Sequence, residues 1–316
     1  MAVSEIREGK TGRAEALAED DPRRRCLIGD GTACDFETLP VGVDRSGKVG
    51  EVSVVRCKTC GVGFARPPLA DVAFLYADRS SQDFQQGAGG LAWLIKHVAF
   101  GLQARRLLAQ AFGALTLPDG RPRLVVDFAC GSGLFTRRMA DVLPAARVVG
   151  SDFHDEAPPD LGAVEYRPIG HLDDLAGQAD LVTAMHVVEH DDDPKALLAR
   201  IVALAKPGAR LVIEVPNIDC VWAPVFGRAW DAWYLPFHRT HFSQAALLAL
   251  VESEGLEVDR VVRVSLPSMG RSVANLMGRK NSLAFILVGV ALHPIQWLGE
   301  VLTGRPAALR VIARKR

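Results

Sequence analysis

The sequence has no surplus of either charge: 37 lysines and arginines stand against 37 aspartates and glutamates in 316 residues, a formal net charge of zero. That balance argues against a protein that holds nucleic acid through an overall positive field, so no nucleic-acid partner is expected. The basic clusters Arg23-Arg24-Arg25 and Arg314-Lys315-Arg316 read as solvated. The first 25 residues lack an apolar stretch, so they read as a disordered tail rather than a secretory signal. A cytoplasmic location is expected. Long apolar runs are missing too. The longest, Leu283 to Leu292, ends at His293-Pro294 after ten residues, against about 20 for a membrane span. A transmembrane helix is not expected, while an interfacial or substrate-covering helix, with peripheral membrane contact, stays open. Cysteine is scarce, at six residues. Four of these (Cys26, Cys34, Cys57 and Cys60) bunch early, which favours metal ligation over disulfides.

What is present is an alternation. After a Gly-, Val- and Cys-rich stretch over 26–69 and a helical stretch over 70–120, short apolar segments alternate with amphipathic ones from residue 121 to 268. Strands are expected at Leu124–Phe128, Arg147–Asp152, Val164–Arg167, Asp180–Met185, Arg210–Val215 and Leu256–Val264. Helices are expected at Leu134–Leu143, Pro194–Ala205 and Ser243–Glu254. An apolar helical segment and a last strand at Ala308–Ala313 fill 269–316. Such alternation predicts an α/β fold with a mostly parallel sheet and helices on both faces.

The most informative stretch runs Val125-Val126-Asp127-Phe128-Ala129-Cys130-Gly131-Ser132-Gly133, a strand leading through a glycine turn into a helix. Glycines let the backbone approach a ligand closely, and the helix N-terminus presents unpaired N–H groups. Asp152 closes the next strand about 20 residues on, where ribose hydroxyls are held in such folds. A nicotinamide dinucleotide is the competing ligand. Against it, Thr136 occupies the place of the third glycine, and Asp127 brings a negative charge better suited to a sulfonium or amino group than to phosphate.

Here the sequence resembles the class I S-adenosylmethionine (SAM)-dependent methyltransferases, whose first motif reads Asp-x-x-x-Gly-x-Gly. Most of residues 123–264 share in the resemblance: Tyr166 to Asp174, Asp180 to His190, Lys206-Pro207-Gly208 and Pro216-Asn217 follow in the family's order. It implies a Rossmann-like seven-stranded sheet and SAM as cofactor. Gly131, Gly133 and Ala129 would line the methionine end, Ala129 standing where glycine is usual. Asp127 would lie near the amino group, Asp152 on the ribose, and Phe153, His171, Leu172 and Met185 around the adenine and the floor of the cleft.

His186-Val187-Val188-Glu189-His190 also reads as the H-x-x-E-H of inverzincin proteases, but it follows a strand instead of lying in a long helix. The same positions resemble a metal cluster in some quinone-pathway O-methyltransferases, yet a catalytic divalent metal is not expected. A second cluster, His238 and His241 before Phe242-Ser243, resembles a subfamily in which a histidine borders the acceptor. His238 is the first candidate for general base, with His190 and His186 behind it. Cys57-x2-Cys60-Gly61 reads as a zinc knuckle that Cys26 and Cys34 would complete, in a module resembling the zinc-ribbon-like domain fused to some of these enzymes. The apolar segments Leu91–Leu102 and Leu283–Leu298 read as core or as a helical lid. The expected activity is methyl transfer to a small-molecule, glycan or lipid-linked acceptor, at oxygen. The alternatives are transfer to carbon or nitrogen, or a noncatalytic SAM-binding or zinc-mediated interaction module. The sequence leaves the oligomeric state open.

Overall fold

The structure, a computed structural model, describes residues 35–39, 41–69, 71–76, 90–112, 124–279 and 281–316. The expected tail, Cys26 and Cys34 lie outside the described residues. The described residues open with β1 (Phe36–Leu39), β2 (Ser53–Cys57) and β3 (Gly63–Arg66), then α1 (Ala73–Tyr76) and α2 (Gly90–Phe112). The core follows as β4 (Leu124–Phe128), α3 (Leu134–Val142), β5 (Arg147–Asp152), β6 (Glu165–Pro168), β7 (Ala179–Met185), α4 (Pro194–Leu204) and β8 (Ala205–Pro216). It continues through α5 (Ala223–Phe226), β9 (Thr240–His241), α6 (Gln244–Ser253), β10 (Leu256–Val264), α7 (Met269–Leu276), α8 (Leu283–Thr303) and β11 (Ala308–Lys315).

Among the described residues seven strands form the main sheet in the order β10-β11-β8-β7-β4-β5-β6. The five strands β4 to β8 run parallel, and β11 inserts antiparallel between β8 and β10. The parallel strands carry Val, Leu and Ile on both faces because both faces are covered. On one side Leu107 and Leu108 of α2 and Phe135 and Met139 of α3 pack against Val125, Leu181, Val212 and Ile312. On the other, Leu198 and Ile201 of α4 and Leu247 and Leu250 of α6 cover Val126, Val182 and Ile213. Each such side chain, fully buried, contributes about 1.5–3 kcal/mol.

The structure adds to two expectations and overturns a third. The described part of the 26–69 stretch is tied to the core, because β9 extends its sheet through the pairing of Gly63 with His241. Cys57, Cys60, Val62 and Phe64 sit in the same apolar cluster as the main sheet. Gly61, at φ +75°, lies so close to Ser243 that a Cβ would come within 2.8 Å of its Oγ. Ser243 caps α6 through the Ala246 N–H and donates to the Cys60 carbonyl, so the cysteine turn is docked on a core helix. The second half of α2 is a layer of the core, since Ala104, Leu107, Leu108 and Ala111 are buried, while Leu94, Val98 and Leu102 in the segment read as core or lid are exposed. The interruption expected at His293-Pro294 does not occur. α8 runs through Pro294 for 21 residues, because proline costs a helix one backbone hydrogen bond and some bending without forbidding the next turn.

Candidate active site

The parallel strands place their C-terminal ends on one edge, where ligands of open α/β sheets bind. β4 delivers the glycine turn there, β5 delivers Asp152, β7 the His186 segment and β8 Asn217. Within the turn Ala129, Gly131 and Gly133 all take positive φ, at 57°, 57° and 79°. The two glycines do different work. A Cβ on Gly131 would meet nothing within 4 Å, so this residue borders open space. A Cβ on Gly133 would lie 2.6 Å from Cβ of Leu161, so this residue is a packing requirement at the start of α3. Ala129 holds the left-handed conformation without being glycine, a local strain on the order of 1 kcal/mol.

Asp152 braces this turn. Its Oδ2 accepts the Gly131 N–H at 2.7 Å and its Oδ1 the Phe153 N–H at 2.8 Å. Burial pushes its carboxyl up, and the two N–H groups oppose that. Each oxygen keeps a second lone pair for a hydroxyl. Phe153 is 43% exposed, a large apolar ring left beside the turn, while Leu172 is buried and His171 exposed. An open glycine cradle, a braced carboxylate at the strand end and an unpacked ring fit the donor set that SAM requires. Asp127 lies deeper than the sequence reading put it. It is 2% exposed, and its two oxygens accept the hydroxyls of Thr183 at 2.6 Å and Thr136 at 2.5 Å. Burial raises its carboxyl to about 6 despite these bonds. It is a charge beneath the loop, held by the residue that replaces the third glycine.

The histidine segments meet at the end of β7. His186 takes φ +57°, and Val188–His190 form a single 3-10 turn. On a helix His186, Glu189 and His190 would share one face, but here His186 turns to Glu214. Its Nε2 lies 3.1 Å from Glu214 Oε1 and its Nδ1 3.3 Å from Glu189 Oε1. Desolvation disfavours the imidazolium, yet the hydrogen bonds and charges of both carboxylates outweigh it and raise the pKa to about 10. His186 therefore has no lone pair to accept a proton. His238 is its opposite: burial, with the neighbouring His241, pushes it well below its ordinary value. Its Nδ1 donates to the Ala232 carbonyl at 2.8 Å, which fixes the lone pair on Nε2. His190 stacks edge-on to His238 at 4.8 Å, with Nδ1 3.3 Å from the Tyr76 hydroxyl. His241 is buried, and desolvation lowers it to about 3.

Glu189, His190 and His238 bring one ligating atom each within 4.8 Å of one another, the set among the described residues able to hold a divalent cation. His186 is not in that set. Glu189 Oε2 is buried without a hydrogen-bond partner among the described residues. Sequence reading missed Glu214, Arg310, Thr136, Thr183 and Tyr76. The first two carried a signal, being charged residues inside otherwise apolar strands. Arg310 lies directly across from Glu214 in the β8–β11 register and binds it through Nε and Nη2 at 2.7 and 2.6 Å.

Residues 100–261 match the family model described as methyltransferase domain. A ubiquinone biosynthesis O-methyltransferase of Rhodopseudomonas palustris (strain BisB18) is 30% identical over 156 residues, which cover 42% of this chain and 60% of that protein. The protein of the same name from Xanthomonas euvesicatoria pv. vesicatoria (strain 85-10) is 31% identical over 155 residues, 43% of this chain and 64% of its own. The chain thus spans about three fifths of the length of these relatives. Among solved structures, magnesium protoporphyrin IX methyltransferase from Synechocystis PCC 6803 with bound SAH aligns with a TM-score of 0.49 at 15% identity, covering 76% of this chain and 97% of that one.

Proposed function

By family this chain is a class I SAM-dependent methyltransferase, a member of the methyltransferase-domain group matched over residues 100–261, and from that premise we propose that it methylates a hydroxyl oxygen of a small organic acceptor. The observation that carries the choice of oxygen is His238: a buried neutral imidazole whose Nδ1 is committed to a carbonyl, leaving Nε2 as the base. The relatives named for O-methylation in ubiquinone biosynthesis support the same class of acceptor.

When bound, SAM supplies a methyl group already activated on a cationic sulfur. The protein's residues then hold and orient. Asp152 accepts the ribose hydroxyls, Gly131 leaves room for the backbone to approach the methionine end, and Asp127 sets a negative charge beneath it. Phe153 and Leu172 flank the adenine. His238 Nε2 takes the acceptor's proton, a step worth about 10²–10⁴-fold when the base is well placed, while His190 borders the same space and His186 holds a fixed positive charge beside it. Positioning of the acceptor supplies the remainder. Zinc belongs to the same proposal. Cys57 and Cys60 flank a tight turn closed by Gly61 and docked on α6, and they would hold zinc as two thiolate ligands, with Cys26 and Cys34 of the sequence supplying the other two. Elemental analysis of the purified protein should give about one zinc per chain, lost in a Cys57→Ser, Cys60→Ser double variant.

Isothermal titration with SAM and S-adenosylhomocysteine tests the cofactor, and absence of binding to both overturns the reading. A screen of hydroxyl-bearing acceptors with methyl-labelled SAM tests the reaction. Label recovered on carbon or nitrogen would move the assignment, and binding without turnover on any acceptor would favour a noncatalytic module.

A further inference from the structure

α8 packs chiefly on α7. It is long and apolar enough to cross a membrane by length and composition, yet most of it faces outward. Leu283, Leu287, Val290, Trp297, Leu298 and Val301 are 42–55% exposed. Their spacing of 4, 3, 7, 1 and 3 residues puts them on one stripe running the length of the helix. The opposite side is fastened to the protein. Gly289 meets Gly270 of α7 closely, with a Cβ on Gly270 coming 2.7 Å from the Gly289 nitrogen. Gly299 lies against the Trp222 ring, whose Nε1–H donates to the Gln296 carbonyl at 3.1 Å. The polar residues Gln296 and Glu300, 0% and 3% exposed, are turned inward and bonded to each other. The helix is therefore tied along its length and cannot swing out to cross a bilayer.

Charge identifies the occupant of the open stripe. From Gly270 to Arg305 the chain has four basic residues, Arg271, Arg279, Lys280 and Arg305, and one acidic residue, the inward-turned Glu300. Arg279 and Lys280 precede the helix and Arg305 follows it, so positive charge flanks the apolar stripe at both ends. A second copy of the chain would bring like charges together in either helix orientation. An anionic lipid surface meets both features, with the stripe at the acyl boundary and the basic ends among the headgroups.

We propose that α8 is an interfacial helix that seats this protein flat on a membrane containing anionic phospholipid. The seat is joined to the acceptor side. α7, which packs under α8, receives the Asp231 N–H on Ser272 Oγ and donates from Asn275 Nδ2 to the Ala229 carbonyl. That is the same segment whose Ala232 carbonyl orients His238. α7 thus links the lipid seat to the segment that orients His238, an arrangement that suits an acceptor dissolved in or tethered to the membrane. This last point rests on the proposed methyl transfer; the lipid seat does not.

The test is co-sedimentation of the full chain with vesicles of phosphatidylcholine alone or mixed with phosphatidylglycerol, together with light scattering for mass. Binding to the mixed vesicles and weak binding to neutral ones is expected. Leu287→Asp with Leu298→Asp should reduce partitioning by at least tenfold, and Arg279→Glu with Lys280→Glu should abolish the preference for phosphatidylglycerol. SAM titration of each variant reports whether the donor site is intact, so failure of the seat and failure of the cofactor reading are separate results. A monomer that ignores both vesicle types overturns the proposal. So does a stable dimer that the aspartate variant converts to monomer, since the stripe would then be covered by a second copy.

Discussion

Glu214 holds His186 as a cation: the Nε2 to Oε1 distance is 3.1 Å, and Arg310 grips the other carboxylate oxygen from β11. The histidine's folded pKa, about 10, lies above its unfolded value near 6.5. Its stabilising contribution is therefore complete below about pH 6.5 and is lost as pH rises toward 10. Glu214→Ala should cost about 3–5 kcal/mol by leaving the buried Arg310 charge uncompensated, read by urea denaturation. NMR titration should find the His186 imidazole protonated at pH 8 in the native protein and neutral in the variant. A neutral His186 in the native protein would refute the assignment and return it to the list of bases.

Asp127 also loses stability as pH rises, but because burial disfavours its charged form. Its carboxyl is raised to about 6 by burial, above the unfolded carboxylate value near 3.9. Stability is thus greatest below the unfolded value and falls as pH rises through about 6, where the ion must be kept in the core. Asp127→Asn should raise the melting temperature by a few degrees at pH 8 and not at pH 4, while weakening SAM binding. Such a trade is common where a site holds an unfavourable charge. Equal melting at both pH values would show that Asp127 is not strained by its charge.

Asp152→Ala removes both the proposed ribose contacts and the brace on Gly131. Loss of hydrogen bonds to a charged group predicts about 1.5–3 kcal/mol weaker SAM binding, measurable by calorimetry. Unchanged affinity would take Asp152 out of the site.

The two loop glycines should separate under substitution. Gly133→Ala places a Cβ against Leu161 at φ +79°, which predicts a stability loss of about 1–3 kcal/mol or more. Gly131→Ala meets no protein atom and adds only the backbone strain of an alanine at φ +57°, about 1 kcal/mol, so its larger effect should fall on SAM affinity. Denaturation and calorimetry on both variants check the contrast.

His238→Ala should lower turnover by about 10²–10⁴-fold with SAM affinity nearly unchanged, because a base acts in the transition state. His241→Ala should affect turnover much less, since its backbone pairs with Gly63 and its ring is buried against Trp233. Near-normal turnover in His238→Ala would leave catalysis to positioning or to His190.

The sequence by itself determined the elements whose cause is local. β4, β5 and β10 follow their apolar runs with the expected bounds, the helix after Gly133 starts where the turn ends, and Asp152 closes its strand beside the loop it serves. Periodicity, glycine conformation and capping act over a few residues and can be read in order. Tertiary structure alone decided the partnerships. Glu214 and Arg310 are 96 residues apart and meet only because β11 inserts antiparallel beside β8 in one register. The cysteine turn joins the core because β9 adds to β3 and Ser243 bonds Cys60. Three histidines alike in sequence become a fixed cation, a neutral base candidate and a buried brace because carboxylates, a carbonyl and an aromatic wall surround them differently. The pKa of each depends on burial and neighbours that only the completed fold supplies. For α8, the sequence showed an apolar run but not the face it exposes, because that depends on Trp222 and Gly270, against which it packs.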